Sequence, residues 1–165
     1  MTPVSVALVP GSFDPVHNGH LEIIERAAYH FNEVIVAAIR NPQKDTALFP
    51  LEERKEMLAE VTAHLPNVRI DYFKGLLVEF AREHGVTAIV KGLRTVSDFE
   101  YEVAQAHMNR SIGGIDTILI PASPGTSFIA SKLVREVSRF GADVSHMVPE
   151  PVAKRLEEMF KDASR

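Results

Sequence analysis

"VSVALVPGSFDPVHNGHLEIIERAAYHF", residues 4–31, decides the fold. It opens on a short, valine-rich apolar run (4–9), the pattern of a buried parallel strand. It closes on 20–31, where Leu21, Ile24, Ala28 and Phe31 fall on one face at helical spacing. Between them, residues 10–20 crowd two glycines, two prolines, an aspartate, a serine and two histidines into one turn. Joining a strand to a helix needs far less, so the loop reads as a ligand cradle. Gly11 and Gly19 let backbone amides approach a ligand closely. The helix start offers free N–H groups and partial positive charge, a ready anion site. Ser12 adds a hydroxyl, and His20 in the first helical turn can aim an imidazole N–H at the same anion. The plainer reading is a capping serine and a packing histidine. Against it stands the pattern His17-Asn18-Gly19-His20, which fits (H/T)-x-G-H between a strand and a helix. It is neither G-x-x-x-x-G-K-[ST] nor G-x-G-x-x-G.

Outward from this unit, apolar runs and helical periodicity alternate. Further strands are expected at 33–39, 68–73 (with Val68, Ile70 and Tyr72 inward), 86–90 and 117–121. Helices are expected at 51–65 with Pro50 at the first turn, 76–85 closed by Gly85, 97–110, 131–141 stopped by Gly141, and 151–162. Ser97 and Glu100 have the spacing of a capping box. Such alternation implies parallel pairing with right-handed crossovers, hence an α/β fold with a doubly wound five-stranded parallel sheet. Its ligands belong outside the carboxyl ends of the strands. No repeat, low-complexity tract or linker divides the chain, so residues 1–165 read as a single domain.

Composition narrows the function. The chain has no cysteine, which excludes disulfides and cysteine-held zinc and fits a cytoplasmic location. The N-terminus lacks the basic segment and long apolar core of a signal peptide. No stretch has the roughly 18 apolar residues of a membrane span, so no membrane partner is expected. A net charge of −4, no basic block and no tryptophan argue against nucleic acid. His17 and His20 have no third ligand nearby, so no protein-held metal is expected, and His30, His64, His84, His107 and His146 read as surface or packing residues. An anionic ligand must therefore meet local cations. Lys44 follows the second strand, and Lys91 and Arg94 flank Gly92 after the fourth. A Ser/Thr-rich turn enters a helix at 124–136. Together these point to a polyanionic ligand, which Glu102 on the neighbouring helix could also reach.

The loop at 10–20, with "LFPLEER" (48–54), "KGLRTVSDFEYE" (91–102), "AHMNR" (106–110) and "SFIASKLVREV" (127–137), resembles the phosphopantetheine adenylyltransferases, bacterial enzymes of coenzyme A biosynthesis in the nucleotidylyltransferase superfamily. The resemblance runs through nearly the whole chain and implies a Rossmann-like nucleotidylyltransferase fold. It implies transfer of the adenylyl group of ATP to 4′-phosphopantetheine, giving dephospho-coenzyme A and pyrophosphate, with Mg2+ entering with ATP. It further implies a homohexamer and coenzyme A as a feedback ligand. His20 would stabilise the transition state and touch ATP, and Ser12 would contact both substrates. Lys44, Leu77 and Lys91 would bind phosphopantetheine. Phe13, Gly92, Leu93, Arg94, Glu102, Thr126, Ser127, Phe128, Ile129, Ala130, Ser131 and Lys132 would bind ATP. Several positions depart from the family's usual pattern: Lys91 stands for arginine, His17 for threonine and Thr126 for an aromatic, while Ala130 and Lys132 interrupt a run of serines.

The implied nucleophile is a phosphate oxygen, already anionic near neutrality, so no enzymic base is required. Two rivals share part of this pattern. A sibling nucleotidylyltransferase acting on nicotinamide mononucleotide or a polyol phosphate would share the first loop but not "SDFEYE". A nonenzymatic nucleotide-binding regulator would accommodate Lys132.

Overall fold

In a computed structural model describing residues 3–40 and 46–161, the chain alternates strands and helices. In order these are β1 (Val6–Gly11), α1 (Asn18–His30), β2 (Glu33–Ile39), α2 (Leu51–Val61), β3 (Val68–Phe73), α3 (Leu77–Glu83), β4 (Ala88–Leu93), α4 (Val96–Gly113), β5 (Asp116–Pro121), α5 (Ser131–Arg139) and α6 (Glu150–Phe160). All pairings are parallel, and the order β3-β2-β1-β4-β5 makes the five-stranded α/β sheet expected from the alternation.

Strand residues alternate between two cores, as the pleat dictates. Ala7, Val9, Val34, Val36, Ala38 and Val90 pack on one face with Ile24 of α1, Met57 and Leu58 of α2, Val134 of α5 and Leu156 of α6. Val6, Leu8, Ile35, Ala37 and Ile89 face the other way, onto Val78, Phe80 and Ala81 of α3. α4 buries none of its residues and meets α3 at Gly113, where a Cβ would lie 2.5 Å from the Val78 Cβ.

Four expectations need correction. Tyr72 is not buried: opposite Ala38 near the carboxyl end of the edge strand β3, it is 41% exposed, and its ring lies 4.7 Å from Lys55 Nζ. The cap of α4 is Thr95, whose hydroxyl accepts from the Asp98 amide, and not Ser97. β4 runs on to Leu93 through full pairing with β5, so Lys91 is a strand residue rather than part of a turn. α2 stops at Val61, where Thr62 turns its hydroxyl back to the Leu58 carbonyl.

One buried polar group ties the loop after β1 to the rest. Arg54 is 5% exposed and donates to three backbone carbonyls: Phe49 O at 3.1 Å, Ser12 O at 2.7 Å and Ile39 O at 3.2 Å. Asp14, also buried, accepts from the amides of Leu48 and Phe49, both at 2.8 Å. Replacing Arg54 with methionine leaves those carbonyls without a donor, at roughly 3–5 kcal/mol for a buried ionic group broken on one side. Urea unfolding at pH 7 should show that loss, and Arg54→Lys should recover little of it, since one ammonium cannot reproduce the planar fork. A loss below about 1 kcal/mol, the usual range of surface changes, would contradict this role.

Candidate active site

β1 and β4 are paired only at Ala7↔Ala88 and Leu8↔Ile89. Beyond that point the two strands diverge, at the place where the sheet order reverses. The gap holds a cleft of about 380 Å3 walled by Val9, Pro10 and Gly11 on one side and Val90, Lys91 and Gly92 on the other. A crevice at such a switch point is where open parallel sheets bind ligands. Gly92 packs closely there: a Cβ would come 3.0 Å from Ile23 Cγ1 of α1, so Ile23 would have to shift to admit a larger residue.

Into this cleft the fold brings Ser12, Phe13, His20, Lys91, Gly92, Arg94, Glu102, Thr126, Ala130, Ser131 and Lys132. Leu93, Ser127, Phe128 and Ile129 are not in its lining: Ile129 is buried, and Phe128 is 56% exposed. A second cleft, of about 830 Å3, lies beyond the carboxyl ends of β2 and β3, against the loop after β1 and the entry to α2, and shares Ser12 with the first. Arg40, Lys74 and Arg135 line it. Lys44 lies outside the described residues. Leu77 begins α3 and packs beside Phe73 and Phe80, in the lining of neither cleft.

Phe13 carries the local strain. Its φ of 48° is the left-handed region that a bulky residue enters at a cost of about 1–3 kcal/mol. The turn drives its ring under Gly11, where a Cβ would stand 3.0 Å from the ring, and leaves Phe13 only 2% exposed. Burying a phenylalanine gives back about 1.5–3 kcal/mol. The ring then braces His20 edge-on, with centroids 4.9 Å apart.

The two histidines cap α1 reciprocally. The His20 amide donates to His17 Nδ1 at 3.2 Å, and the His17 amide donates to His20 Nδ1 at 3.1 Å. The rings stack with centroids 3.6 Å apart. Because a backbone N–H occupies His20 Nδ1, the neutral ring must carry its proton on Nε2. Gly19 makes room for this, since a Cβ there would meet His17 Cε1 at 2.9 Å. The anion site expected from the free amides of the helix start is thereby reduced: His20 N is spent on His17, and Asn18 N donates to Met147 O at 2.9 Å. Anion recognition shifts to side chains.

Those side chains are balanced in pairs. Lys91 Nζ lies 3.4 Å from Glu102, and Arg94 Nε lies 3.1 Å from Asp98 while its Nη1 donates to Ile129 O at 2.8 Å. Asp98, which nothing in its local spacing within "SDFEYE" singles out, is thus part of the cleft. Among the described residues, no three histidine, aspartate or glutamate side chains converge to hold a metal.

Burial, then the neighbouring Arg94 charge, lowers His17 from 6.5 to about 4. Burial first, then His17, Arg94 and Lys91, hold His20 well below its ordinary value. Both rings are neutral at pH 7. For a group whose folded pKa is depressed, stability is complete above the unfolded pKa and is lost as pH falls toward the folded one. His17 should therefore cost about 2 kcal/mol of stability between pH 7 and pH 5. His17→Thr keeps a capping oxygen but cannot take up the proton, so its urea midpoint should fall less over that range. Equal losses in both proteins would refute the depressed value.

Residues 8–137 match the cytidylyltransferase-like family. Among solved structures, a candidate nicotinate-nucleotide adenylyltransferase from Vibrio parahaemolyticus superposes with a TM-score of 0.68 at 17% identity, over 97% of each chain. A lipopolysaccharide core biosynthesis protein from Thermoplasma volcanium superposes with a TM-score of 0.53 at 18% identity, over 73% of this chain and 98% of the other. At such identities these two speak for the fold alone. The family match spans the diverging strands, the paired histidines and the cations at the end of β4, and by it the chain belongs to the cytidylyltransferase-like family, with the activity class of a nucleotidyltransferase.

Proposed function

We propose that the protein transfers the adenylyl group of ATP to 4′-phosphopantetheine, releasing pyrophosphate and forming dephospho-coenzyme A. The observation that carries this reading is the pair of clefts meeting at Ser12. The smaller has Arg94, Lys132 and the neutral His20 for a triphosphate, and the larger has Arg40 and Lys74 for an anionic acceptor. The acceptor's phosphate oxygen attacks the α-phosphorus, the bond from that phosphorus to the bridging oxygen breaks, and pyrophosphate leaves. No base is needed, in keeping with two histidines whose pKa values lie too low for that work at pH 7. His20 instead presents Nε2–H to the charge that grows on the α-phosphoryl oxygens. Ser12 sits where both substrates would meet, with Lys91 toward the acceptor phosphate and Arg94 and Lys132 toward the triphosphate. The cleft's carboxylates, Asp98 and Glu102, are already paired with cations, so Mg2+ would be carried in by the triphosphate and would neutralise part of its charge.

The same reading includes a cytoplasmic homohexamer with coenzyme A as feedback ligand. In support of self-association, α4 buries nothing and exposes Val96, Phe99, Tyr101, Met108 and Ile112 beside Ile118 of β5. The selective test is pyrophosphate release from Mg-ATP with 4′-phosphopantetheine, nicotinamide mononucleotide, a polyol phosphate or no acceptor. Release with phosphopantetheine alone is expected. Release with nicotinamide mononucleotide or the polyol phosphate, or none at all, would replace the reading with the sibling enzyme or the regulator. In the same assay His20→Ala should lower kcat by about 10²–10³, the usual worth of one transition-state donor, while both substrates still bind.

Lys91 separates the two substrates. Lys91→Ala should raise the KM for phosphopantetheine by a factor corresponding to about 1.5–3 kcal/mol, one charged hydrogen bond, and move the KM for ATP much less. Lys91→Arg should keep activity if the space beside Glu102 admits the wider fork. An unchanged phosphopantetheine KM in Lys91→Ala would mark the lysine as a surface cation.

A further inference from the structure

Glu22 of α1 lines neither cleft, yet it is the most heavily used carboxylate near the smaller one. Its Oε1 accepts from the Ser123 amide at 3.1 Å and from the Ser123 hydroxyl at 2.5 Å, and its Oε2 accepts from the Thr126 hydroxyl. One turn along α1, Arg26 Nη1 lies 3.6 Å from the same carboxylate and donates to Pro121 O at 2.7 Å. Glu22 and Arg26 thereby hold the end of β5 and the segment after it, residues 122–130, whose Thr126 and Ala130 wall the cleft. Only its first residue has a backbone bond to the sheet, Ala122 N to Leu93 O at 2.8 Å; beyond it the segment's own backbone bonds are local turns: Thr126 N and Ser127 N to Ser123 O, and Ile129 N to Thr126 O.

The other side-chain tether of this segment is Arg94, through Ile129 O. Arg94 is also a cleft cation, so an incoming phosphate competes for it. Glu22 is outside the cleft and faces no such competition. We propose that Glu22 is a positioning residue that pins 122–130 to α1 and so sets the nucleotide-side wall of the cleft while Arg94 is drawn to the ligand. The nucleotide part of this rests on the reading of the cleft given above. The pinning also gives Thr126 a definite task, since its hydroxyl donates to Glu22.

The test uses Glu22→Ala, Glu22→Gln, Thr126→Val, Thr126→Ser and the double variant Glu22→Ala/Thr126→Val in the full chain. Amide hydrogen exchange reads the pinning without any assumption about activity. Glu22→Ala should speed exchange of residues 122–130 by about ten-fold, the worth of one charge-assisted hydrogen bond, and leave the strands unchanged. The KM for ATP, and its Kd measured without acceptor, should rise by about ten-fold, with kcat and the acceptor KM within about two-fold. Glu22→Gln, which keeps one acceptor oxygen, should fall between wild type and alanine, and Thr126→Ser, which keeps the hydroxyl, should leave exchange of 122–130 as slow as in wild type. Adding Thr126→Val to Glu22→Ala should cost little more, because the two act through one bond. Unchanged exchange in 122–130 would overturn the pinning. An equal loss in kcat and in both KM values would overturn selective positioning. Faster exchange in 122–130 of a protein whose wild type does not bind ATP would leave the pinning standing and overturn the nucleotide reading.

Discussion

The Arg54 guanidinium is the point from which the site is built. It is buried, and burial pulls its pKa down while the Asp14 carboxylate pushes it back up. A charge so placed is tolerable only if its donors are used, and they are spent on carbonyls from three segments: the loop after β1, the end of β2 and the entry to α2. Asp14 closes the circuit from the other side, holding the Leu48 and Phe49 amides, while its own backbone carbonyl accepts from Arg135 of α5 at 2.5 Å. Backbone groups that would otherwise be orphaned in a buried loop are thus satisfied by two side chains of opposite sign. The result is a rigid rim shared by both clefts, and Ser12, whose carbonyl Arg54 holds, is fixed where they meet.

Sheet topology supplies the space. Once β1 and β4 cease to pair after Leu8 and Ile89, their backbones must separate, and each exposes polar groups along the gap. Small or N–H-free residues, Pro10, Gly11 and Gly92, line that gap and keep the aperture open. Strength of binding then depends on how charge is held. Lys91 and Arg94 are paired with Glu102 and Asp98, so a polyanion must exchange partners rather than find bare cations. Such a cleft disfavours singly charged ligands, whose Coulomb gain would barely exceed the loss of the existing pairs, and favours ligands dense in charge.

Much of this was legible in the sequence, for identifiable reasons. Strand–helix alternation is local, so the sheet, its parallel sense and the place of the loop at 10–20 could be read from periodicity. The cations at 91 and 94 and the turn entering a helix at 124–136 stand out because they follow strand ends, whereas the residues at 126–132 are singled out by the family resemblance. What escaped depends on contacts distant in sequence. Arg54 lies in a helix with ordinary charge spacing, and nothing local marks it as buried against Ser12 and Ile39. Glu22 looks like the polar face of α1 until β5 delivers Ser123 and Thr126 beside it. Tyr72 fits an alternating strand, but which strand lies at the edge is decided by the whole sheet. Thr95 outcompeted Ser97 as a cap by a matter of two residues, the scale at which helix ends are set by detailed geometry.

The reciprocal histidines show how one substitution within a motif redistributes work. A threonine at position 17 could also accept the His20 amide, but an imidazole does so while stacking on the second ring. The gain is rigidity, since His20 is held by a hydrogen bond at Nδ1, a ring face and the edge of Phe13. The cost is a second buried titratable group, and its protonation is opposed by desolvation before any neighbour is considered. Lys91 and Arg94 add to that opposition at His20, so the cations that attract an anion also keep the ring neutral. A charged His20 would bind a ground-state triphosphate more tightly. In the proposed reaction a neutral one would offer a single oriented N–H whose value grows as negative charge develops on the reacting phosphate, and that difference between ground state and transition state is what catalysis requires.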